Sequence, residues 1–318
     1  MARTRYAPDR GLTVRMTATM FLLGLVFVAF VALIIGIMDA VGASAGAIVV
    51  VAILLGGGMA FTSLFYSDKI ALATAGARVV SPQEAPELHG IVDRLCAMAD
   101  MDKPRVAIAP TDLPNAFATG RNSKNSVLCV TQGLLRRLDG PELEGVIAHE
   151  MSHVAHKDVQ VMTYASLLAI IAGLLVRMAF YGELFGGGRG RNNNQNMAII
   201  FLAMMVVSIV VYAVSFVLIR LLSRYRELAA DRSGALLTGQ PSALKSALVK
   251  VSGSMSQIPT QDLRKVEPLN AFFFAPALRL TRGGGKSPSM IFSTHPSLEK
   301  RIEQLDKIQR QLGQVSPQ

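Results

Sequence analysis

Four charge-free apolar runs constrain this 318-residue chain more than any other feature. They cover residues 16–38, 40–67, 159–176 and 192–219, which are 23, 28, 18 and 28 residues long. Each reaches the roughly 18 apolar residues that suggest a bilayer span, although the last opens on polar Asn and Gln. With 51% hydrophobic and only 17% charged residues, and a mean hydropathy of +0.39, the chain is too apolar for a soluble domain. An α-helical integral membrane protein is expected.

The first run, at 23 residues, is too long for the roughly 7–15 apolar residues of a cleaved signal peptide, so it reads as an uncleaved anchor. Arg3, Arg5, Arg10 and Arg15 precede it, whereas the short loop after it holds no Lys or Arg. The positive-inside rule then puts the N-terminus in the cytoplasm. Runs one and two form a hairpin, 16–67, behind a basic tail, 1–15. Runs three and four form a second hairpin, 159–219; Arg189 and Arg191 in its loop are outweighed by Arg220, Arg224 and Arg226 after it. Residues 68–158 and 220–318 are therefore both expected in the cytoplasm, as one packed domain.

The net charge of +10 is spread along the chain and flanks the apolar runs, which fits anionic lipid headgroups as its partner. No basic stripe with interleaved aromatics is present, so nucleic acid is not an expected partner. Nucleotide is not expected either. "RGGGKS" lacks the first Gly of a phosphate-binding loop, Leu280 standing in its place. Cys96 and Cys129 show no CxxC spacing and are expected to be reduced, buried and unrelated to any metal.

In the soluble parts, residues 83 to about 101 have apolar spacing suited to an amphipathic helix, with Ser81 and Pro82 at its start. "RVAIAPT", "NAFATG" and "SVLCVTQGLL" are β-rich pieces separated by turn formers, which reads as a small antiparallel sheet. "PELEGVIAHEMSHVAHKD" follows as a helix opened by Pro141. Two more helices, "RYRELAADRSGALLTG" and "SALKSALVKVSG", come after the second hairpin, then a long Gly- and Pro-containing loop at 253–290. "THPSLEKRIEQLDKIQRQL" closes the chain as a helix opened by Thr294 or Ser297.

The chemistry concentrates in "AHEMSHVAHKD". His149 and His153 are four apart, so both rings can reach one metal ion from one helix face. Glu150 stands beside the first, placed to act on a water rather than to ligate. This is HExxH, the zinc-binding and general-base arrangement of metalloproteases. A catalytic zinc also needs a third protein ligand, which Glu227 of "YRELAAD" can supply. Asp231, one turn on, can accept the N–H of a ligand histidine and hold its tautomer. His156 competes as a ligand, but it lies about 10 Å along the helix from His149 and reads as an outer residue. Lys157 and Asp158 read as markers of the membrane surface.

"PNAFATG", "HEMSHVAHKD", "RELAAD" and "FSTHPSLEKRI", interrupted by paired apolar spans, resemble the HtpX family of membrane-integral zinc metalloproteases, kin to the CAAX prenyl endopeptidases. The resemblance implies a mainly α (α+β) gluzincin-type endopeptidase domain in the bacterial cytoplasmic membrane, acting on misfolded or damaged membrane proteins. It implies His149, His153 and Glu227 as ligands of one zinc ion per chain and Glu150 as the general base. Asn115, Ala116 and Phe117 match an edge strand that receives polypeptide substrates, and His295 and Arg301 match an element that approaches the active site, where either could steady the oxyanion.

Residues 159–219 must cross the bilayer an even number of times if His153 and Glu227 are to share one metal. The zinc is thus expected at the cytoplasmic surface. The rival reading is a non-catalytic membrane protein with a structural or sensing zinc; such a site would normally fill its fourth position with Cys or His, and neither cysteine is near the ligand segments.

Overall fold

In the computed structural model the backbone is described for residues 10–40, 45–186, 194–256 and 295–314. These residues fall into two compact units. One is built from the described part of Met1–Thr13, Leu64–Gln160 and the described part of Ser223–Gln318, the other from Val14–Ser63 and Val161–Leu222.

The second unit consists of apolar helix. Helices α1 (Arg10–Ala40), α2 (Ala45–Thr74), α6 (Asp158–Gly186) and α7 (Asn194–Thr238) each give it part of their length. Its core is Leu23, Phe30, Ile171, Met204, Leu218 and Leu222 with small residues such as Ala172. Gly56 of α2 lies so close to Ile171 that an added Cβ would sit 2.9 Å from that side chain. Large apolar side chains such as Phe21, Leu25, Leu54, Val206 and Val210 face outward, the inside-and-out hydrophobicity of helices that live in lipid. Arg10–Leu33 and Leu202–Thr238 are long and apolar enough to cross a membrane. Within α7 the uncharged stretch ends at Ile219, and Arg220, Arg224, Arg226, Glu227 and Asp231 follow on the same unbroken helix. The sequence suggested a new helix at "RYRELAAD"; nothing in the chain breaks α7 there, because neither Gly nor Pro intervenes between Ile219 and Ser233.

The first unit is α+β. Its strands β1 (Arg78–Val79), β2 (Arg105–Ala109), β3 (Ala116–Gly120) and β4 (Ser126–Thr131) are ordered β1-β2-β4-β3. β1/β2 and β3/β4 pair antiparallel, but the central β2/β4 pair is parallel, so the sheet is mixed. A simple meander would have kept it antiparallel. Instead the loop after β2 carries the chain past the β4 position to the far edge, and β4 returns between them. That loop is pinned: Gly133 N–H donates to Thr111 O at 2.9 Å, and a Cβ on Gly133 would sit 2.1 Å from Asp112 O.

Side chains alternate across the sheet with period two. Val106, Leu128 and Val130 join the main core with Leu95, Leu134, Ile147, Met151, Leu244 and Leu248. Ala107, Ala109, Phe117, Val127 and Cys129 face the other way and pack with Ala71 of α2. Around the main core stand α3 (Pro86–Ala99), the single turn α4 (Gln132–Leu135), α5 (Gly140–Ala155), α8 (Pro241–Ser256) and α9 (Leu298–Gln314). α3 begins at Pro86, later than expected, because Ser81 and Glu84 close a separate turn ahead of it.

α5 carries the histidines and starts on a capping box: Asp139 accepts from Glu142 N–H, and Glu142 accepts from Asp139 N–H. It ends at Lys157, whose φ of 57° is left-handed. α9 opens on Ser297, whose hydroxyl accepts from Lys300 N–H. The expected loop 253–290 starts inside α8, and its part beyond Ser256 lies outside the described residues, as do the 187–193 segment and Thr294.

Candidate metal centre

Three elements converge. α5 brings His149, Glu150 and His153, α7 brings Glu227 and Asp231, and the start of α9 brings His295 and Arg301. The Nε2 atoms of His149 and His153 are 3.2 Å apart. Glu227 Oε1 is 3.5 Å from His153 Nε2, and Oε2 is 3.8 Å from His149 Nε2. Among the described residues these three form a group whose donor atoms all lie within 4.8 Å of one another.

Both Nδ1 atoms meet carboxylates: His149 Nδ1 is 2.9 Å from Asp231 Oδ1, and His153 Nδ1 is 2.5 Å from Asp158 Oδ2. Each ring therefore carries its proton on Nδ1 and turns an Nε2 lone pair toward the other. Two lone pairs and a carboxylate facing one another repel unless a cation sits among them. A tetrahedral zinc with donors at roughly 2.0–2.2 Å sets neighbouring donors about 3.3–3.6 Å apart, close to the spacing here. The donor set fits zinc.

Burial supports the same protonation pattern. The His153 imidazole is lowered to about 4 chiefly by desolvation, and desolvation lowers His149 as well. Both are neutral at pH 7, the form that binds metal. Cys96 and Cys129 are free and buried, and burial raises their thiols to about 11 and about 12, so neither is a thiolate donor.

Glu150 is buried beside the group, and its Oε2 accepts Ala118 N–H at 3.2 Å. Burial, then the charge of Glu227, pushes its carboxyl well above the usual carboxylate range. Ala118 is in β3, the sheet edge. The backbone N–H and C=O of Asn115 both bond Thr131, at 2.9 and 3.0 Å, so on this antiparallel edge Ala116 and Ala118 turn their backbone groups away from the sheet. Phe117 puts its side chain into the apolar layer beneath. Asn115, Ala116 and Phe117 thus belong to or adjoin the edge strand, and Ala118 is its contact with Glu150.

Arg301 is 2% exposed and makes a two-pronged pair with Asp231, Nε to Oδ2 at 2.7 Å and Nη2 to Oδ1 at 2.6 Å. Its Nη1 is 3.7 Å from Glu227 Oε2, and His295 Nδ1 is 3.0 Å from the same oxygen. His156 stands outside the group, with Nε2 3.4 Å from Ser233 Oγ.

Three participants were not marked by the sequence. Asp158 is a carboxylate on His153, and Arg226 pairs with it; the HExxH spacing signals neither. Gly234 is the third: a Cβ there would sit 2.9 Å from His149 N and 3.1 Å from Ala148 C. A glycine one turn past Asp231, facing the histidine helix, is the signal that could have been used.

Residues 82–309 match the family model "Peptidase family M48". Protease HtpX homolog 1 of Streptomyces coelicolor is 55% identical over 98% of this chain and 98% of its own. The Protease HtpX homolog of Moorella thermoacetica is 50% identical, again over 98% of both chains. The crystal structure of S. mikatae Ste24p superposes with a TM-score of 0.52 at 16% identity, covering 94% of this chain and 67% of that one.

Proposed function

The chain belongs to peptidase family M48 and is a membrane metalloprotease, and from that premise we propose that it is a zinc endopeptidase that cleaves misfolded or damaged membrane proteins at the cytoplasmic face. The observation that carries this is the convergence of His149 Nε2, His153 Nε2 and a Glu227 oxygen, each histidine held from behind by a carboxylate, with Glu150 alongside.

His149, His153 and Glu227 would hold one zinc ion per chain. When bound, zinc supplies Lewis-acid polarisation of the scissile carbonyl and makes a water acidic enough to attack. Glu150, fixed by Ala118 N–H, is placed to take a proton from the attacking water and to pass it to the leaving amine. An extended substrate lies along β3 and pairs with the outward backbone of Ala116 and the carbonyl of Ala118, whose N–H is already given to Glu150, as strand addition does elsewhere. Asn115 and Phe117 hold that edge in place. His295, standing over the Glu227 carboxylate, donates to the oxyanion. Arg301 already spends two donors on Asp231, so its contribution runs through the orientation of His149.

In this reading residues 16–67 and 159–219 are two membrane hairpins behind a basic tail, 1–15. Residues 68–158 and 220–318 form the cytoplasmic protease domain, which puts the zinc near the lipid surface. The test is to purify the protein in detergent with a chelator, then restore zinc and follow cleavage of a membrane-protein substrate. Cleavage that returns with zinc at one ion per chain supports the reading. A fully loaded protein that cleaves nothing contradicts it.

A further inference from the structure

Asp158 is the first residue of α6, and Arg226 belongs to the charged part of α7. They are 68 residues apart in sequence. Yet Arg226 Nη1 donates to the Asp158 backbone carbonyl at 2.8 Å, and Nη2 pairs with Asp158 Oδ2. Both side chains are buried. The same Oδ2 is the atom 2.5 Å from His153 Nδ1. An aspartate at a helix start is ordinarily a solvated charge that favours the helix dipole; this one is enclosed between an arginine and a ligand histidine.

The arrangement repeats what stands behind the other histidine. Arg301 grips Asp231, and Asp231 holds His149 Nδ1. Arg226 grips Asp158, and Asp158 holds His153 Nδ1. Each ring is oriented by a carboxylate that is itself fixed by a guanidinium. Arg301 takes both carboxylate oxygens of Asp231, whereas Arg226 spans one carboxylate oxygen and the backbone carbonyl of Asp158; a carboxylate tied in this way cannot turn freely and so fixes the ring's angle as well as its tautomer.

We propose that Arg226 and Asp158 are a positioning pair that clamps the base of the α6–α7 hairpin and holds His153 in its metal-binding orientation, so that closure of the hairpin base and metal affinity are coupled. It rests on the zinc reading above. The clamp explains why two ligand-bearing segments on either side of a 61-residue insertion, 159–219, can meet with donor spacings near those of a tetrahedral ion. Separating Arg226 from Asp158 frees the carboxylate and with it the His153 ring.

The test is zinc affinity, measured by competition with a chelating dye on the full chain in detergent, together with melting of the metal-free protein and the visible spectrum of the cobalt-loaded form. Asp158→Asn keeps the shape and removes the charge. It is expected to bind zinc about 10- to 100-fold more weakly, with a changed cobalt spectrum and, because the buried Arg226 loses its counter-charge, a lowered metal-free melting point as well. Arg226→Lys keeps a cation but loses the fork; it should weaken zinc by a smaller factor, and it decides alone if Asp158→Asn does not fold. Combining the two should cost little more than Asp158→Asn alone.

Zinc affinity within about threefold of the parent in the folded variants overturns the proposal, as does a lowered metal-free melting point with unchanged affinity, which marks a merely structural ion pair. If the unaltered protein holds no zinc, it is the zinc reading itself that fails.

Discussion

Replacing Gly234 with alanine tests how closely α7 must approach α5 for the metal group to form. The added methyl would stand 2.9 Å from His149 N and 3.1 Å from both Ala148 C and His149 Cα, where ordinary contact is 3.4–4 Å. All three neighbours are main-chain atoms of a packed helix, so no side chain can rotate away. The helices must separate by about 0.5 Å to restore normal carbon contacts. Alanine favours an interior helix position over glycine by about 1 kcal/mol, whereas overpacking a filled core costs about 1–3 kcal/mol. The contact with main chain puts this site toward the costly end, for a net loss of about 1–2 kcal/mol. The same separation draws Glu227 back from His149, and about 0.5 Å is the tolerance of a working site. Zinc affinity should fall roughly tenfold, the low end of what disturbed supporting groups cost. Dye competition and melting of the metal-free protein measure the two effects separately. Parental zinc affinity together with a raised melting point would refute the reasoning and leave Gly234 as an ordinary helix glycine.

Glu227→Ala should lose zinc itself; tight binding in that variant, measured by metal analysis, would move the third ligand elsewhere. His295→Ala is expected to lower turnover by about 10²-fold with zinc content unchanged, and a loss within about threefold would remove it from the oxyanion role. The metal-free protein should lose stability as pH falls from 6.5 to about 4, because in that window the unfolded chain protonates His153 while the fold keeps it neutral. Melting followed across that range checks this; His153→Gln should lessen the slope, His149 and His156 keeping part of it, and a parent with no slope would contradict the burial argument.

The apolar runs and the HExxH helix were legible because each is a local pattern: a run length, and a four-residue spacing on one helix. Glu227 and Asp231 were legible for the same reason, one turn apart on α7. Asp158 was read only as a mark of the membrane surface, and its contact with His153 was missed. Its reach to His153 depends on the left-handed turn at Lys157, which folds the start of α6 back on α5; no periodicity announces it. Arg301 was expected near the reacting oxygen, and the structure sets two of its donors on Asp231, a partner 70 residues away. The parallel β2/β4 pairing likewise follows from one pinned loop, residues 110–115, rather than from the strands' own composition.

The central claim is that His149, His153 and Glu227 hold a catalytic zinc while Glu150 moves the proton. Glu150→Gln separates the two roles, because it keeps the side chain's size and its place beneath Ala118 N–H but removes its basicity. Metal analysis and a cleavage assay on the same preparation are the direct measurement. One zinc per chain and no proteolysis is the expected result; one zinc per chain with proteolysis at the parent's rate would contradict these roles.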